Sequence, residues 1–277
     1  CASRPAVARI VPLANLDDPD LEPYRDVRDR DLRGRGNAFM AEGAVVLANA
    51  AGRMRHRLRS LLVAEPKLAG LEPALARLPA DLPVYVAGAQ QMSEIAGFHI
   101  HRGVLALGER AVEPPLEDLL AALPPRALVV ALFGISNHDN LGGIFRNAVA
   151  FGADAVLLDP ACCDPLYRKA IRVSVGASLI CPFVRVESEA ALLAEIATSA
   201  LTPVALTPGG HADLSMLPAA SGGLALLVGS EGHGLPPAAL ERSLAIRIEM
   251  APGFDSLNAA TATGIALHAA ALALGKV

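Results

Sequence analysis

Short apolar runs alternate with segments of helical periodicity along most of the chain. In the first part, strands are predicted at 7–13, 60–65, 83–88 and 103–109. Helices are predicted between them, at 19–33, 44–52, 67–78 and 89–96. This alternation indicates an α/β structure.

From residue 127 the alternation is more regular, and the predicted strands are almost wholly apolar. They lie at 127–135, 155–160, 182–186, 203–208, 222–231 and 245–250. The predicted helices lie at 141–151, 165–175, 188–200, 236–243 and at the C-terminal end. Such strands between helices indicate a parallel sheet covered on both faces. Ligands of these sheets bind beyond the carboxyl ends of the strands, so functional residues are expected in the loops that follow them.

The stretch between these two parts reads as a linker. Residues 109–126, "ERAVEPPLEDLLAALPPR", place two Pro-Pro pairs around a short amphipathic segment. A chain of 277 residues is long enough for two domains. We therefore expect an N-terminal α/β domain at 1–112, a linker at 113–126 and a second domain at 127–277.

Charge and cysteine content narrow the class of protein. The net charge of -4 does not by itself indicate a nucleic-acid partner, but residues 1–112 carry +2 and residues 113–277 carry -6. The first part is the better place for an anionic ligand. The four cysteines, Cys1, Cys162, Cys163 and Cys181, lack the spacing of a metal site or a disulfide scaffold. A reducing cytoplasm is therefore expected, with the adjacent Cys162 and Cys163 as packing residues.

Neither end of the chain suggests membrane insertion. The start has no basic and apolar signal segment, and because Cys1 cannot be an initiator residue the true N-terminus is expected upstream. The most apolar long stretch, 257–275, contains Asn258, Thr261, Thr263 and His268. It is interpreted as a helix buried in protein rather than as a membrane span.

The loop after the first strand of the second part reads "SNHDNLGGIFRNA". Gly142 and Gly143 allow a ligand to approach the backbone closely, and a helix that begins near Leu141 directs free N–H groups at an anion. Arg146 adds a permanently charged guanidinium group whose geometry suits phosphate. The alternative is a capped helix on which Arg146 is a solvated surface charge.

A second loop, "LLVGSEGHGLP", places glycines at alternate positions around Glu231 and His233. Backbone groups freed in this way can hydrogen-bond a flat ligand such as adenine. Glu231 could hold an amine or orient Arg146, and His233 is interpreted as a solvated loop residue. The loop lacks the dinucleotide fingerprint, which requires G-x-G-x-x-G at the start of a helix.

A third loop, "IEMAPGFDSLNAATATG", precedes the last helix. Asp255 or Ser256 is expected to cap that helix. Asn258 then lies in its first turn, where its side-chain amide can donate and accept hydrogen bonds. The alternative interpretation is a capped, buried helix with no other role.

Taken together and in this order, the three loops resemble the motifs of the SpoU-type (TrmH-like) RNA ribose methyltransferases of the SPOUT superfamily. The matching residues are "NLGGIFRNA", "GSEGHG" and "SLNAATATGI". The resemblance covers 127–277 strongly. It extends more faintly over 38–108, where "FMAEGAVVLANA" and "IAGFHIHRGVLAL" are similar to the small substrate-binding domain of that family.

The resemblance implies a fold and partners that the hydrophobic pattern does not. It implies a C-terminal parallel-sheet SPOUT domain with a deep trefoil knot, an exception to the rule against knots, preceded by a small α/β substrate-binding domain. It implies S-adenosylmethionine as the cofactor, no metal, an RNA substrate and a homodimer formed through the knotted domain. The absence of a metal-ligand cluster in the sequence is consistent with this.

The resemblance also assigns the site residues. Those expected in cofactor binding are Thr207, Gly229, Ile248, Met250 and Leu257; those expected in catalysis are Arg146, Asn140, Glu231, Ser256 and Asn258. The reaction requires in-line approach of a ribose 2'-hydroxyl and removal of its proton. Because arginine is a poor base, we expect Arg146 to position a phosphate, with Glu231 and Asn258 positioning Arg146 and the nucleotide.

Two of the motifs depart from the family pattern. "HD", His138 and Asp139, replaces the proline often found before Asn140, and Glu249 replaces the proline of the usual I-P-M. Neither position carries chemistry, so these changes bear on loop shape and substrate choice.

For the first domain the residues suggest RNA docking. "RMRHRLR" sets Arg53, Arg55, Arg57 and Arg59 at alternate positions, either on one face of a strand or along a loop. The alternative is a solubilising charge run. With seven Phe, three Tyr and no Trp in the chain, extensive base stacking is not expected, so structured RNA is favoured.

Other functions remain open at this stage. A noncatalytic RNA-binding relative would be expected to lack Arg146 or Asn258, and both are present. A nicotinamide- or nucleotide-dependent enzyme would need a phosphate fingerprint after the first strand, which is missing. Ribosomal and transfer RNA methylases share the motifs, and the separate N-terminal domain favours ribosomal RNA.

Overall fold

The computed structural model describes residues 8–13, 15–25, 37–97, 102–218, 222–253 and 256–277. The chain divides into two compact units. One comprises Cys1–Ala111 with Leu166–Ile180, and the other comprises Val112–Pro165 with Cys181–Val277. The first unit thus includes a segment that lies in the sequence between two strands of the second, which the hydrophobic pattern did not indicate.

The first unit is built on a five-stranded mixed sheet. Its strands are β1 (Arg9–Pro12), β2 (Ala38–Glu42), β3 (Arg57–Ala64), β4 (Pro83–Ala87) and β5 (Val104–Glu109). Its helices are α1 (Ala44–Ala50), α2 (Glu65–Leu68), α3 (Glu72–Leu75), α4 (Ala89–Ala96) and α7 (Arg168–Val173), with 3-10 turns at Pro19–Tyr24, Ala69–Leu71 and Ala177–Leu179. The strand order is β1-β4-β3-β5-β2, in which β5 runs antiparallel to both neighbours.

The elements of this unit differ from the predicted ones in three places. Strand β2 was not predicted, because its five buried residues are too few to show a period. The helix expected at 67–78 is instead two single turns joined by a 3-10 turn, since Pro66 and Pro73 each begin a new helix. The helix expected at 19–33 is a 3-10 turn with Pro23 inside it, and residues 26–33 lie outside the described part of the chain.

The second unit is built on a seven-stranded sheet, and every strand pair in it is parallel, as predicted. Its strands are β6 (Leu128–Phe133), β7 (Ala155–Leu158), β8 (Phe183–Arg185), β9 (Leu201–Leu206), β10 (Ala212–Asp213), β11 (Gly223–Gly229) and β12 (Leu244–Arg247). Its helices are α5 (Leu116–Ala121), α6 (His138–Ala150), α8 (Glu189–Thr198), α9 (Pro237–Glu241) and α10 (Ala259–Leu274), with a 3-10 turn at Leu214–Met216. The strand order is β10-β12-β9-β11-β6-β7-β8. The trefoil knot implied by the resemblance stays a prediction.

Helices cover both faces of this sheet, which explains why its strands are apolar throughout. All six residues of β6 are buried. On one face, side chains of β6, β9 and β11 pack with Leu192 and Ile196 of α8 and with Ala239 of α9. On the other face, α6 and α10 pack against each other and against the central strands. Among the helices that the structure describes, none is long and apolar enough to cross a membrane.

Candidate active site

The three loops with unusual sequences follow neighbouring strands of the second unit. Strands β12, β9, β11 and β6 lie side by side in the sheet and run in the same direction. Their carboxyl ends therefore share one edge, which brings together residues that are far apart in the sequence. The first turn of α6, the loop after β9, the loop after β11 and the start of α10 meet there.

A polar cluster of three side chains lies at this edge. The Oε1 atom of Glu231 accepts hydrogen bonds from Nδ2 of Asn140 at 3.1 Å, from Nδ2 of Asn258 at 3.1 Å and from the backbone N–H of Ala259 at 3.2 Å. Nδ2 of Asn258 also donates to Oδ1 of Asn140 at 2.7 Å. Each of the three side chains thus contacts the other two, and Asn140 is buried. The structure brings three of the five predicted catalytic residues into direct contact.

Asn258 also caps helix α10. Its Oδ1 accepts the N–H groups of Ala260 at 3.0 Å and Thr261 at 3.2 Å. The expectation that Ser256 provides the cap was wrong, and Asp255 lies outside the described residues. Ser256 lies instead on the wall of the neighbouring cavity.

Helix α6 begins earlier than predicted. Asn137 caps it by accepting the N–H of Asp139 at 2.8 Å, so the helix starts at His138 and Asn140 lies in its first turn. His138 and Asp139, which stand where the family pattern often has proline, thus occupy the helical positions before Asn140, and the acidic Asp139 is favoured in a first turn.

Gly143 of the first loop serves helix packing. A Cβ atom on Gly143 would lie 2.7 Å from Cβ of Ala260, and one on Gly264 would lie 2.7 Å from Nδ2 of Asn147. Asn147 in turn donates to the carbonyl of Ala260 at 2.8 Å. The interpretation of Gly143 as a point of close ligand approach was therefore wrong: the close neighbour is helix α10.

Within a single chain, Arg146 does not contact the polar cluster. Its side chain is exposed, and no residue that the structure describes forms an ion pair or hydrogen bond with it. It follows Asn140 by six residues, which corresponds to about 9 Å along the helix axis. The expected contact between Glu231 and Arg146 is absent among these described side chains, because the Glu231 carboxylate binds Asn140 and Asn258 instead.

A cavity of about 230 Å³ adjoins the cluster. All five predicted cofactor-binding residues line it, together with Ser256 and Glu231: Thr207, Gly229, Ile248, Met250 and Leu257. The backbone groups of Ile248, Met250 and Leu257 form no hydrogen bond with any part of the chain that the structure describes. The cavity thus combines apolar side chains with backbone donors and acceptors that a planar heterocycle can use.

The loop after β11 folds back on itself at the cavity wall. Gly234, with φ of +68°, forms a bridge with Ser230, and its N–H donates to the Ser230 carbonyl at 2.9 Å. A Cβ on Gly229 would lie 2.1 Å from the carbonyl carbon of Gly234, so the loop itself requires this glycine. Gly232 has no neighbour within 4 Å. His233 is exposed, as predicted.

An ion pair takes the place of the expected proline beside the cavity. Nη2 of Arg247 lies 2.7 Å from Oε1 of Glu249, and Nη1 donates to the carbonyl of Gly210 at 3.0 Å. The segment after β12, which carries Ile248 and Met250, is thereby attached to the loop after β9.

A support beneath the start of α6 was not predicted from the sequence. Asp159, which is buried, accepts the N–H of Gly134 at 3.0 Å and the N–H of Cys162 at 2.8 Å. The guanidinium of Arg185 donates to the carbonyls of Asp159, Cys162 and Cys163 at 3.0, 2.7 and 2.9 Å. The loop after β7 is therefore tied to the loop that leads into α6. The signal in the sequence that could have indicated this support is Asp159, an acidic residue directly after an apolar strand.

Cys162 and Cys163 are packing residues, as predicted. Among the described residues, Cys162, Cys163 and Cys181 form no disulfide. Burial raises the pKa of Cys162 to about 12 and that of Cys163 to about 11. Within the described part of the chain, no group of three His, Cys, Asp or Glu residues could hold a metal ion.

The four arginines of "RMRHRLR" lie on one short segment of the first unit. Arg57 and Arg59 are exposed on β3, whereas Arg53 and Arg55 precede that strand in a turn. Two of the four arginines therefore lie on a strand and two lie in a loop, so each predicted arrangement applies to one pair.

Comparison with known proteins places this site in a family. Residues 127–268 match the SpoU rRNA Methylase family. The chain is 38% identical over 278 residues to an uncharacterized tRNA/rRNA methyltransferase of Mycobacterium tuberculosis, covering 97% of this chain and 94% of the relative. It is 30% identical over 201 residues to a 23S rRNA (guanosine-2'-O-)-methyltransferase of Pasteurella multocida, covering 71% of this chain and 82% of the relative.

Among solved structures, an AdoMet-bound rRNA methyltransferase from Sinorhizobium meliloti superimposes with a TM-score of 0.76 at 26% sequence identity, covering 94% of this chain and 97% of that one. The resemblance drawn from the three loops is thereby confirmed. Since the family model matches half of the chain and the Mycobacterium relative aligns with nearly all of it, the chain belongs to the SpoU rRNA methylase family.

Proposed function

We propose that this protein transfers a methyl group from S-adenosylmethionine to the ribose 2'-hydroxyl of a structured ribosomal RNA. The observation that carries the proposal is the cavity lined by Gly229, Ile248 and Leu257, directly beside the cluster of Asn140, Glu231 and Asn258. The name of the Pasteurella multocida relative supports both the 2'-hydroxyl and ribosomal RNA.

The residues of the cavity suit S-adenosylmethionine. Its adenine can contact the apolar side chains of Ile248, Met250 and Leu257, while the unpaired backbone groups of these residues hydrogen-bond the ring edge. Thr207 and Gly229 complete the wall. When bound, the cofactor would supply a methyl group on a positively charged sulfonium. The C–S bond to that methyl breaks as its bond to the ribose oxygen forms, the neutral thioether leaves and the hydroxyl proton passes to water, so the transfer requires no metal.

The remaining residues position the RNA. Arg146, exposed and without a carboxylate partner among the described residues, binds a phosphate next to the target ribose. Asn140, Glu231 and Asn258 hold the loop after β11 and the start of α10 in fixed relation, so the nucleotide meets a preorganised edge. Ser256 contributes a hydroxyl at the cavity wall.

The second unit also presents a face for a second copy of the chain. Thr261, Ile265, His268 and Leu272 are exposed and form one stripe along α10, at helical spacings of four, three and four residues. Two of them are apolar, with Ile265 39% and Leu272 55% exposed. We propose that this stripe is the interface of a homodimer, in which Arg146 reaches the site of the partner chain.

The dimer can be tested by replacing the two apolar side chains of the stripe with charged ones. Ile265→Asp with Leu272→Asp should convert the protein to monomers in light scattering and abolish transfer, because apolar contacts are replaced by like charges. Val112→Asp, at a site that is 90% exposed at the start of the second unit, is the matched control and should remain dimeric. A wild-type protein that is monomeric at all concentrations contradicts the dimer.

The four arginines of "RMRHRLR" are proposed as an RNA-docking surface. Reversing the charge of Arg53, Arg55, Arg57 and Arg59 should weaken RNA binding and flatten its dependence on salt, because fewer counterions are released. An unchanged salt slope would show that RNA docks elsewhere.

The deciding experiment measures transfer of labelled methyl from S-adenosylmethionine to total ribosomal and transfer RNA, followed by nuclease mapping. We expect the label in a 2'-O-methyl nucleotide of ribosomal RNA. Arg146→Ala should abolish transfer while cofactor affinity stays unchanged, and Arg242→Ala, which removes another exposed arginine of the second unit, should retain activity. Label in a base, label confined to transfer RNA, or full activity of Arg146→Ala each contradicts part of the proposal.

A further inference from the structure

The first unit contains a cavity of about 700 Å³ that has no part in the methyl-transfer site. It lies where β3 and β4 begin and antiparallel β5 ends. Its volume falls within the range of ligand sites, about 300 to 1,000 Å³. Three kinds of residue in its lining each match one part of a nucleotide.

The floor of the cavity is apolar. Leu58, Leu78 and Leu82 are buried and contribute to it, and Pro79 and Pro83 lie beside them. Apolar side chains of this kind accept the face of a nucleobase, which loses little hydration there. A purely electrostatic RNA-docking surface would need no such floor.

Arginines form a second part of the lining. Arg57, Arg59 and Arg77 contribute, and none of them forms an ion pair with a residue that the structure describes. Arg77 is held in place, since its Nη2 donates to the carbonyl of Ala48 at 2.6 Å and its Nε to the carbonyl of Pro73 at 3.2 Å. Its charge is therefore fixed in position but not neutralised, which is the arrangement that binds phosphate.

Two carboxylates complete the lining. Asp81 and Glu109 lie in the same cavity as the arginines but form no ion pair within the described chain. They would repel a bare phosphate. A carboxylate is, however, a good acceptor for the amino groups of a nucleobase. The two carboxylates therefore distinguish a site for a whole nucleotide from a site for phosphate alone.

We propose that this cavity binds one unpaired nucleotide of the RNA substrate. Its phosphate contacts Arg57, Arg59 and Arg77, its base covers the apolar floor, and amino groups of the base donate to Asp81 or Glu109. The inference rests on the proposed RNA substrate and deepens it, because it places base recognition in the first unit. Unpaired nucleotides of loops and bulges are the part of a structured RNA whose bases are accessible in this way.

The carboxylates provide the sharpest test. A general basic surface binds RNA more tightly when Asp81 and Glu109 are both changed to alanine, because two negative charges are removed. A nucleotide site binds more weakly, by roughly five-fold or more, because the base loses its acceptors. The measurement is filter binding of ribosomal RNA transcribed in vitro to the full chain, and equal or tighter binding overturns the proposal.

Arg77→Gln tests the phosphate contact. It should raise the KM for RNA without changing kcat at saturating RNA, and lower the slope of log K against log salt by roughly 0.7 to 0.9. Arg242→Gln is the matched control with unchanged values. Free adenosine or uridine monophosphate should compete only weakly; tight binding of either, with RNA affinity unaffected by Arg77→Gln, would make this a small-molecule site and overturn the proposal.

Cross-linking the unaltered protein avoids any effect of substitution on folding. RNA containing 4-thiouridine should cross-link to peptides that include residues 52–59 or 77–83. Cross-links there without methyl transfer would uphold the cavity and refute the proposed function. Methyl transfer without cross-links there would uphold the proposed function and refute the cavity.

Discussion

Nδ2 of Asn258 lies 2.7 Å from Oδ1 of Asn140, although 118 residues separate them in the sequence. Each amide also donates to Oε1 of Glu231 at 3.1 Å. Since Asn140 lies in the first turn of α6 and Asn258 caps α10, the contact holds the starts of these two helices together. The same three side chains therefore serve folding and the proposed chemistry.

Alanine at Asn140 and at Asn258 should show that the two side chains contribute jointly to the free energy of unfolding. Asn140→Ala and Asn258→Ala should each lower the free energy of unfolding by about 1 to 3 kcal/mol, because polar groups lose their partners. Asn258→Ala should cost more, since it also removes the helix cap. In the double variant the loss should be smaller than the sum of the two by about 0.5 kcal/mol or more. Urea denaturation measures all three variants.

Ser188 provides the control for this cycle. It caps α8 through a 3.1 Å bond to the N–H of Ala191, on the opposite face of the sheet. Ser188→Ala with Asn140→Ala should be additive within about 0.5 kcal/mol. Additivity of Asn140→Ala with Asn258→Ala would contradict the shared cluster.

The close packing of α6 on α10 gives a second prediction. Alanine in a helix is favoured over glycine by about 1 kcal/mol, yet Gly143→Ala and Gly264→Ala should each destabilise by about 1 to 3 kcal/mol. The reason is that each new Cβ would lie 2.7 Å from an atom of the other helix. Gly232→Ala, with no neighbour within 4 Å, should be neutral. Thermal unfolding of the three variants tests this prediction. Stabilisation by Gly143→Ala would show that the helices are not in contact there.

The sequence predicted the second unit well because its strands are buried on both faces. A run such as "LVVALF" can belong only to a covered sheet or a buried helix, and flanking glycine and length favour the strand. The loops that carry Thr207, Glu231 and Asn258 follow directly from the strand positions. The family resemblance then selected individual residues among them.

Other features depend on contacts that no local pattern shows. The partners of Glu231 are 91 and 27 residues away, so its pairing with Asn140 and Asn258 rather than Arg146 could not be inferred from spacing. The role of Gly143 is defined by Ala260 on another helix. Likewise, Leu166–Ile180 packs with the first unit although its neighbours in the sequence belong to the second.

The support beneath α6 gives a third prediction. Both oxygens of Asp159 accept backbone N–H groups, from Gly134 and from Cys162. In Asp159→Asn one oxygen becomes an NH₂ group that faces an N–H, so the variant should lose about 1 to 3 kcal/mol of stability and shift the loop that leads to Asn140. We expect a lower kcat with an unchanged KM for RNA. Glu187→Gln, at an exposed position of the same unit, is the control; equal behaviour of the two variants would remove Asp159 from this role.

The raised pKa values of the cysteines give a prediction for pH and thiol reagents. Only the thiolate reacts, and a thiol with a pKa of about 11 is ionised in roughly one molecule per thousand at pH 8. Cys162, with a pKa of about 12 and a side chain buried beside Leu132 and Ile135, should react more slowly still. In a Cys1→Ser variant, Ellman's reagent at pH 8 should therefore modify the folded protein slowly and all three remaining thiols rapidly after unfolding.

The same burial sets how stability changes with pH. The folded thiols hold their protons up to about pH 11, whereas those of the unfolded chain ionise near about pH 8.5. Because these folded pKa values are raised, the contribution of Cys162 and Cys163 to stability is complete below about pH 8.5 and is lost as the pH rises above it. Replacing both by alanine should flatten the fall in stability between about pH 8.5 and 10, measured by urea denaturation at each pH. If that fall is as steep without the two thiols as with them, other groups cause it.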